Sequence, residues 1–242
     1  MGFFKKIAGA LSKKKYRKNP NAAVLTVEQY AALNVGAINA EQTMYFCDSL
    51  HTGSDKNEMR RNLADYYGIV DRDTALSTLD WLSSRGHRVY FEAIKQFISG
   101  LSTAIDETDL EEEQKVSTYE YIQNLNTSIE DLIKNKHIKK KVDLSTQSVV
   151  GWDMGRLVLV TRCCYELAYI SEEEAWNYIR KAHRECQNTY LDWKEFADGY
   201  IIGRCMWGGS DMMRHGGIMG IAKGLLEDDE SPWLKYPLRQ NT

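Results

Sequence analysis

Between Asn21 and Ser231 the chain contains no proline, and its three prolines stand at positions 20, 232 and 237. Inside a helix proline removes a backbone hydrogen bond and clashes with the preceding turn, at about 3 kcal/mol or more. A long body without proline favours long helices over a design of strands and turns. No segment shows sustained apolar–polar alternation bounded by hairpin turns, so the sequence predicts an all-α fold. At 242 residues, this is a single globular multi-helix domain spanning 21–242, preceded by a tail at 1–20.

Helix starts recur along this body. Thr26-Val-Glu-Gln29 reads as a capping box ahead of Tyr30-Ala-Ala-Leu33. Asp71 is placed to cap a helix through Thr74 to Leu82, and Gly86 supplies its left-handed stop. Ser171 with Glu174, and Asp192 with Glu195, open two further helices. Each cap offers a side-chain oxygen to a backbone N–H that has no partner within the helix. The stretch 106–148, acidic near 106–113 and basic near 134–141, reads as a polar, partly exposed connection. The segment 208–224, rich in Gly and Met, reads as a connection or a mobile flap, with His215-Gly-Gly217 a flexible loop.

Charge is distributed unevenly. Residues 1–20 hold seven basic side chains and no acid, leaving 24 basic against 34 acidic residues in the rest. So acidic a body excludes general nucleic-acid binding. In the tail, Phe3, Phe4, Ile7 and Leu11 share one helical side, with Lys5, Lys6 and Lys13 opposite. This basic amphipathic segment has three readings. One is weak contact of residues 1–18 with an anionic membrane surface; the others are a disordered tail and docking on the acidic body.

The five cysteines lack CxxC spacing, which points to reduced, mostly buried thiols and a cytoplasmic location, with the inner membrane surface reachable through the tail. No run of about 18 apolar residues is present. HExxH, Walker, GxSxG and GxGxxG patterns are absent. No metal site and no cofactor are expected. The acids Glu172, Glu173 and Glu174 fit the first turn of a helix better than a metal.

The strongest chemical signal lies in Trp152 to Tyr169. At helical spacing this segment is apolar almost all round, with Gly155, Arg162 and Glu166 as the solvent-compatible positions. Arg162 and Glu166 are spaced to pair at i,i+4. Asp153 and Arg156 fall inside the apolar sector, so a carboxylate and a guanidinium enter the packed interior. Two neighbouring helices repeat the pattern. His183 falls on the face of Ala175, Trp176, Ile179 and Cys186, and Arg204 among Trp193, Phe196, Tyr200 and Trp207. A buried guanidinium is costly without a carboxylate or stacked rings, and Asp153 is the short carboxylate on offer. Asp153, Arg156, His183 and Arg204, walled by Trp176, Trp193 and Trp207, are therefore the candidate site. It is read either as a structural network orienting three helices or as a pocket for a small anionic ligand.

The same residues carry a resemblance. Trp152-Asp153, Arg156, Arg162, Ile170-Ser-Glu-x-Glu-Ala-Trp176, Gln187-x-x-Tyr190, Asp192-Trp-x-x-Phe196, Tyr200, Gly203-Arg204 and Trp207 resemble a bacterial family known as domain of unknown function 1266. Upstream, Tyr67-Gly-Ile69, Trp81-Leu82 and Gly86-His-Arg88 are similar to it as well. The likeness runs from about Leu33 to Trp207 and is most specific in its second half. Asp192 stands where that family usually has serine, and either residue caps a helix. The resemblance implies a bacterial protein of helical fold and assigns no activity. The functional expectation is thus a cytosolic protein that binds a protein partner or a small anionic ligand. The alternatives are a hydrolase or transferase using His183 with Asp153, and a membrane-surface adaptor acting through the basic tail.

Overall fold

Every start signal read from the sequence opens a helix in the computed structural model, which describes residues 16–100, 105, 108 and 110–239. For 210–216 it describes the backbone course only. Thr26 and Gln29 form their reciprocal box at the head of α1 (Val27–Leu33). A 3-10 turn, Asn34–Gly36, leads into α2 (Ala37–Thr43). Asp55 caps α3 (Lys56–Tyr67), and Asp71 with Thr74 caps α4 (Arg72–Ser84). Then follow α5 (Arg88–Ile98) and α6 (Glu112–Lys134). A second 3-10 turn, Lys141–Thr146, precedes α7 (Val150–Glu166). Ser171 with Glu174 opens α8 (Glu172–Thr189), and Asp192 opens α9 (Trp193–Gly216). Helices α10 (Ile218–Glu227) and α11 (Pro232–Lys235) close the chain. Among the described residues there is no strand, and the fold is all-α.

Helix α7 is the axis of the fold. It packs against α8, α9, α4, α2, α3 and the first 3-10 turn. Every residue from Val150 to Val158 is buried, Gly155 included. Close approach to α9 explains the glycines. A Cβ on Gly155 would lie 2.8 Å from the Tyr200 ring, and one on Gly203 would overlap Trp152. Only bare backbone lets these two helices meet so closely.

Four sequence expectations change. Residues 112–134, expected as partly exposed connection, form the long helix α6, which packs along α9. Its buried positions, Thr118, Leu125, Ser128 and Leu132, are sparse, and two carry hydroxyls satisfied by carbonyls of their own helix. So thin an apolar seam hides within a polar sequence.

The Gly- and Met-rich segment is helical too. Helix α9 runs through it with a kink at Gly209 (φ 65°, ψ −173°). There the Asn124 side-chain amide donates to the carbonyls of Met206 and Trp207. That side chain meets the backbone groups released by the break, so the chain turns without becoming a loop.

The tail joins the body earlier than position 21. Tyr16 is buried, and the Arg17 guanidinium donates to the carbonyls of Met44 and Gly53 while lying 4.3 Å above the Phe46 ring. The amphipathic pattern of residues 1–15 lies outside the described residues.

Lastly, Arg162 and Glu166 do not share the solvent. Arg162 is 2% exposed and donates to the carbonyls of Phe46, Leu50 and His51. Glu166 accepts from the Thr52 N–H and hydroxyl at 2.7 and 2.6 Å. Together they fasten the 46–52 loop to α7. Its carbonyls and N–H groups face the helix and need charged partners, a demand that periodicity does not reveal.

At the C-terminal end, Trp233 anchors the chain. Its indole N–H donates to the Asn34 carbonyl, the Asn34 amide donates to the Pro232 carbonyl, and its ring stacks on Trp193 at 5.0 Å.

Candidate functional site

Asp153 is fully buried, and its oxygens are spent on the start of α5. Oδ1 accepts from the His87 N–H at 2.8 Å and Oδ2 from the Arg88 N–H at 2.9 Å, with Arg88 Nη1 at 3.3 Å. A carboxylate on a helix N-terminus meets unsatisfied N–H groups and the positive end of the helix dipole. Burial pushes the Asp153 carboxyl above its ordinary value, while the Arg156 charge and the two N–H groups pull it down. Gly86 makes room for this contact. It has φ +61°, the left-handed region, and a Cβ there would strike the Asp153 carboxylate. The partner of Asp153 is therefore the His87–Arg88 turn, not Arg204.

Arg156, one turn further along α7, takes a different acceptor. Its Nη1 lies 3.0 Å from His87 Nδ1, and its guanidinium sits 5.0 Å from the Trp152 ring and 5.7 Å from the Tyr67 ring. Burial, then the Arg156 charge, pushes the His87 imidazole down to about 3. The ring is thus neutral. Nδ1 accepts from Arg156, and the ring proton resides on Nε2. No other hydrogen bond from Arg156 occurs among the described residues, so the rest of its five N–H donors lack a protein acceptor there.

Arg204 lies 5.4 Å from the Trp152 ring and 4.9 Å from that of Trp207. Burial lowers its basicity; Tyr200 opposes this, and the Arg156 charge adds to it. Arg156 and Arg204 are 7% and 8% exposed as whole residues, and both line one cleft of about 570 Å³. Its floor is the α7 stripe Trp152, Arg156, Leu159, Val160 and Cys163. Facing walls come from α2 (Asn39, Gln42, Thr43) and α3 (Met59, Asn62, Leu63, Tyr66, Tyr67). Arg204 and Trp207 of α9 close the cationic end, where His87 also reaches the cleft. No carboxylate occurs among its described lining residues.

Of the seven sequence candidates, the fold brings Arg156, Arg204 and Trp207 to this cleft. Asp153 lies behind it, touching it only through His87. The other three are elsewhere. His183 Nε2 donates to the Leu238 carbonyl at 3.0 Å, joined there by Gln187, and faces a separate groove with Arg180, Arg184 and Arg239. Burial lowers its basicity, and the Leu238 bond works against that. Trp193 donates to the Tyr236 carbonyl and stacks on Trp233, holding the C-terminal segment. Trp176 is buried beside Glu172. A helical wheel orders residues around one axis and cannot say which neighbour covers each sector, so three inward faces do not make one site.

Sequence reasoning missed His87, Tyr67, Asn39 and Trp152 as members of the site. His87 and Tyr67 stand inside the short upstream patterns, Gly86-His-Arg88 and Tyr67-Gly-Ile69. Among the described residues no group of three or more His, Cys, Asp or Glu is placed to hold a metal ion, and no helix is long and apolar enough to cross a membrane. The five cysteines are free, four of them buried.

Fold and cleft together define an all-helical protein with a half-open, guanidinium-bearing cavity beside its central helix. The chain belongs to the family described as "Protein of unknown function (DUF1266)", which it matches over residues 62–238. No curated protein and no solved structure matches it.

Proposed function

We propose that this protein binds a small anionic ligand in the α2–α3–α7–α9 cleft, with Arg156 and Arg204 as the anion-holding groups. One observation carries the reading. Arg156 is buried at a cavity wall, its single acceptor among the described residues is a neutral imidazole, and the nearby carboxylate is turned to other donors. The spare donors of this guanidinium face the cleft, where an anion would take them in charge-assisted, fork-shaped hydrogen bonds. The hydrolase or transferase reading needs His183 next to Asp153, and each is engaged by other partners. The cytoplasm of a bacterial cell is the location this reading adopts. It rests on the five free thiols and the family resemblance.

Titration calorimetry with benzoate and with inorganic phosphate tests the proposal. At least one probe should bind the wild-type protein and raise its unfolding midpoint, since a ligand specific to the native state at a hundred times its Kd adds about 2.7 kcal/mol. Arg156→Gln should abolish both effects. Binding unchanged in Arg156→Gln, or no binding of either probe, overturns the assignment.

A further inference from the structure

Helix α9 breaks at Gly209, just past Trp207, which helps to close the cationic end of the cleft. Gly209 adopts φ 65° and ψ −173°, a combination open essentially to glycine alone, so the break is written into the sequence. In an unbroken helix the carbonyls of Met206 and Trp207 would accept from N–H groups four residues on. A helix end takes that partner away, and a turn left in this state frays unless other groups hold it. Burial alone does not hold Trp207, which is 37% exposed. The Asn124 amide of α6 supplies the donor, reaching the Met206 carbonyl at 3.2 Å and the Trp207 carbonyl at 3.3 Å. A Cβ on Gly209 would lie 3.2 Å from Asn124 Oδ1, so the bare glycine backbone also makes room for that amide.

We infer that Asn124 is a positioning residue for the anion site. From outside the cleft it fixes the turn of α9 that ends at the break, and with it the Trp207 ring against which Arg204 lies. This rests on the anion-binding reading above and adds how that site is held in shape. The Trp207 ring lies 4.9 Å from the Arg204 guanidinium and 6.2 Å from the Trp152 ring. Trp152 in turn is approached by both Arg156 and Arg204, so a shift of Trp207 reaches the surroundings of both guanidiniums. Asn124 does not line the cleft, and its effect on an anion passes through the Arg204–Trp207 turn. A carboxamide suits the task. Its N–H donors meet two carbonyls without bringing a charge to the cationic end.

The test combines benzoate and phosphate calorimetry with acrylamide quenching of Trp207 fluorescence, taken as the difference between each protein and its Trp207→Phe counterpart. Asn124→Ala should weaken binding of the probe about fivefold, a loss within what two neutral hydrogen bonds support, and should open Trp207 to the quencher. Gly209→Ala disturbs the same break from its other side and should act alike, which keeps the test open if Asn124→Ala does not fold. Asn135→Ala is the control. Its amide donates to the Asp131 carbonyl of its own helix, away from α9, so both readouts should stay as in the wild type. Three results overturn the inference while leaving the anion site standing: full probe affinity in Asn124→Ala or Gly209→Ala, unchanged quenching of Trp207 in them, or an equal loss in Asn135→Ala. If neither benzoate nor phosphate binds the wild-type protein, both readings fall together.

Discussion

His87 Nδ1 accepts a hydrogen bond from Arg156 Nη1 at 3.0 Å, so the guanidinium at the cleft is aimed by a neutral ring. The same residue's backbone N–H is held by Asp153 at 2.8 Å. Asp153 sits one turn before Arg156 on α7, and a single tight turn at Gly86–Arg88 therefore reads both. The carboxylate fixes the backbone of the turn, and the turn presents an imidazole that orients the arginine without neutralising it.

The neutrality of His87 has a pH signature. Its folded-state value, about 3, lies below the ordinary 6.5, so between these values the unfolded chain binds the proton and the native state does not. Its stabilising contribution is complete above pH 6.5 and is lost as pH falls toward 3. At pH 5 the loss should be roughly 2 kcal/mol relative to pH 7.5. Urea unfolding of the wild type and of His87→Gln at both pH values isolates this share, because the glutamine oxygen accepts from Arg156 and does not titrate. Equal pH dependence in the two proteins would show that His87 takes up its proton as readily in the fold as in the unfolded chain.

Asp153→Ala strips the acceptors from two N–H groups at a buried helix start and strands the Arg88 charge. The expected cost is roughly 3–5 kcal/mol in denaturant unfolding. A double-mutant cycle should show coupling with Arg88→Met and near-additivity with Arg204→Met. Strong coupling to Arg204 instead would contradict the partner assignment.

Gly86→Ala and Gly68→Ala make a matched pair. Both glycines have positive φ, 61° and 65°, so each substitution bears the left-handed backbone cost of about 1 kcal/mol. Nothing lies within 4 Å of a Cβ at Gly68, whereas one at Gly86 collides with Asp153. Thermal unfolding should therefore find Gly86→Ala clearly the more damaging. Equal losses would mean that the Asp153 contact yields at no cost.

The N-terminal boundary is tested by two truncations. A chain beginning at residue 19 loses Tyr16 and Arg17, and should be less stable than one beginning at residue 16 by roughly 3 kcal/mol, the scale for removing a buried aromatic side chain. The two unfolding midpoints would coincide if the Tyr16–Arg17 packing contributed nothing.

What the sequence determined by itself is local. Thr26, Asp71, Ser171 and Asp192 start helices because each side chain reaches an N–H two or three positions ahead in its own chain. The burial of α7 was legible for the same reason, since apolar residues fill nearly every sector of one helix. Tertiary structure decided the partners. Asp153 had Arg204, Arg156 and the then unsuspected Arg88 within its possible reach, and the choice fell on a turn 65 residues upstream. His183 points inward as its spacing indicated, yet it meets Leu238 and not Asp153. Arg162 looked like a solvent position until the 46–52 loop crossed over it. A side chain's direction around its helix follows from 3.6 residues per turn, whereas what waits in that direction depends on how distant helices cross. Those crossings are set by close contacts such as Gly155 against Tyr200 and Gly203 against Trp152, and these exist only once the chain has folded.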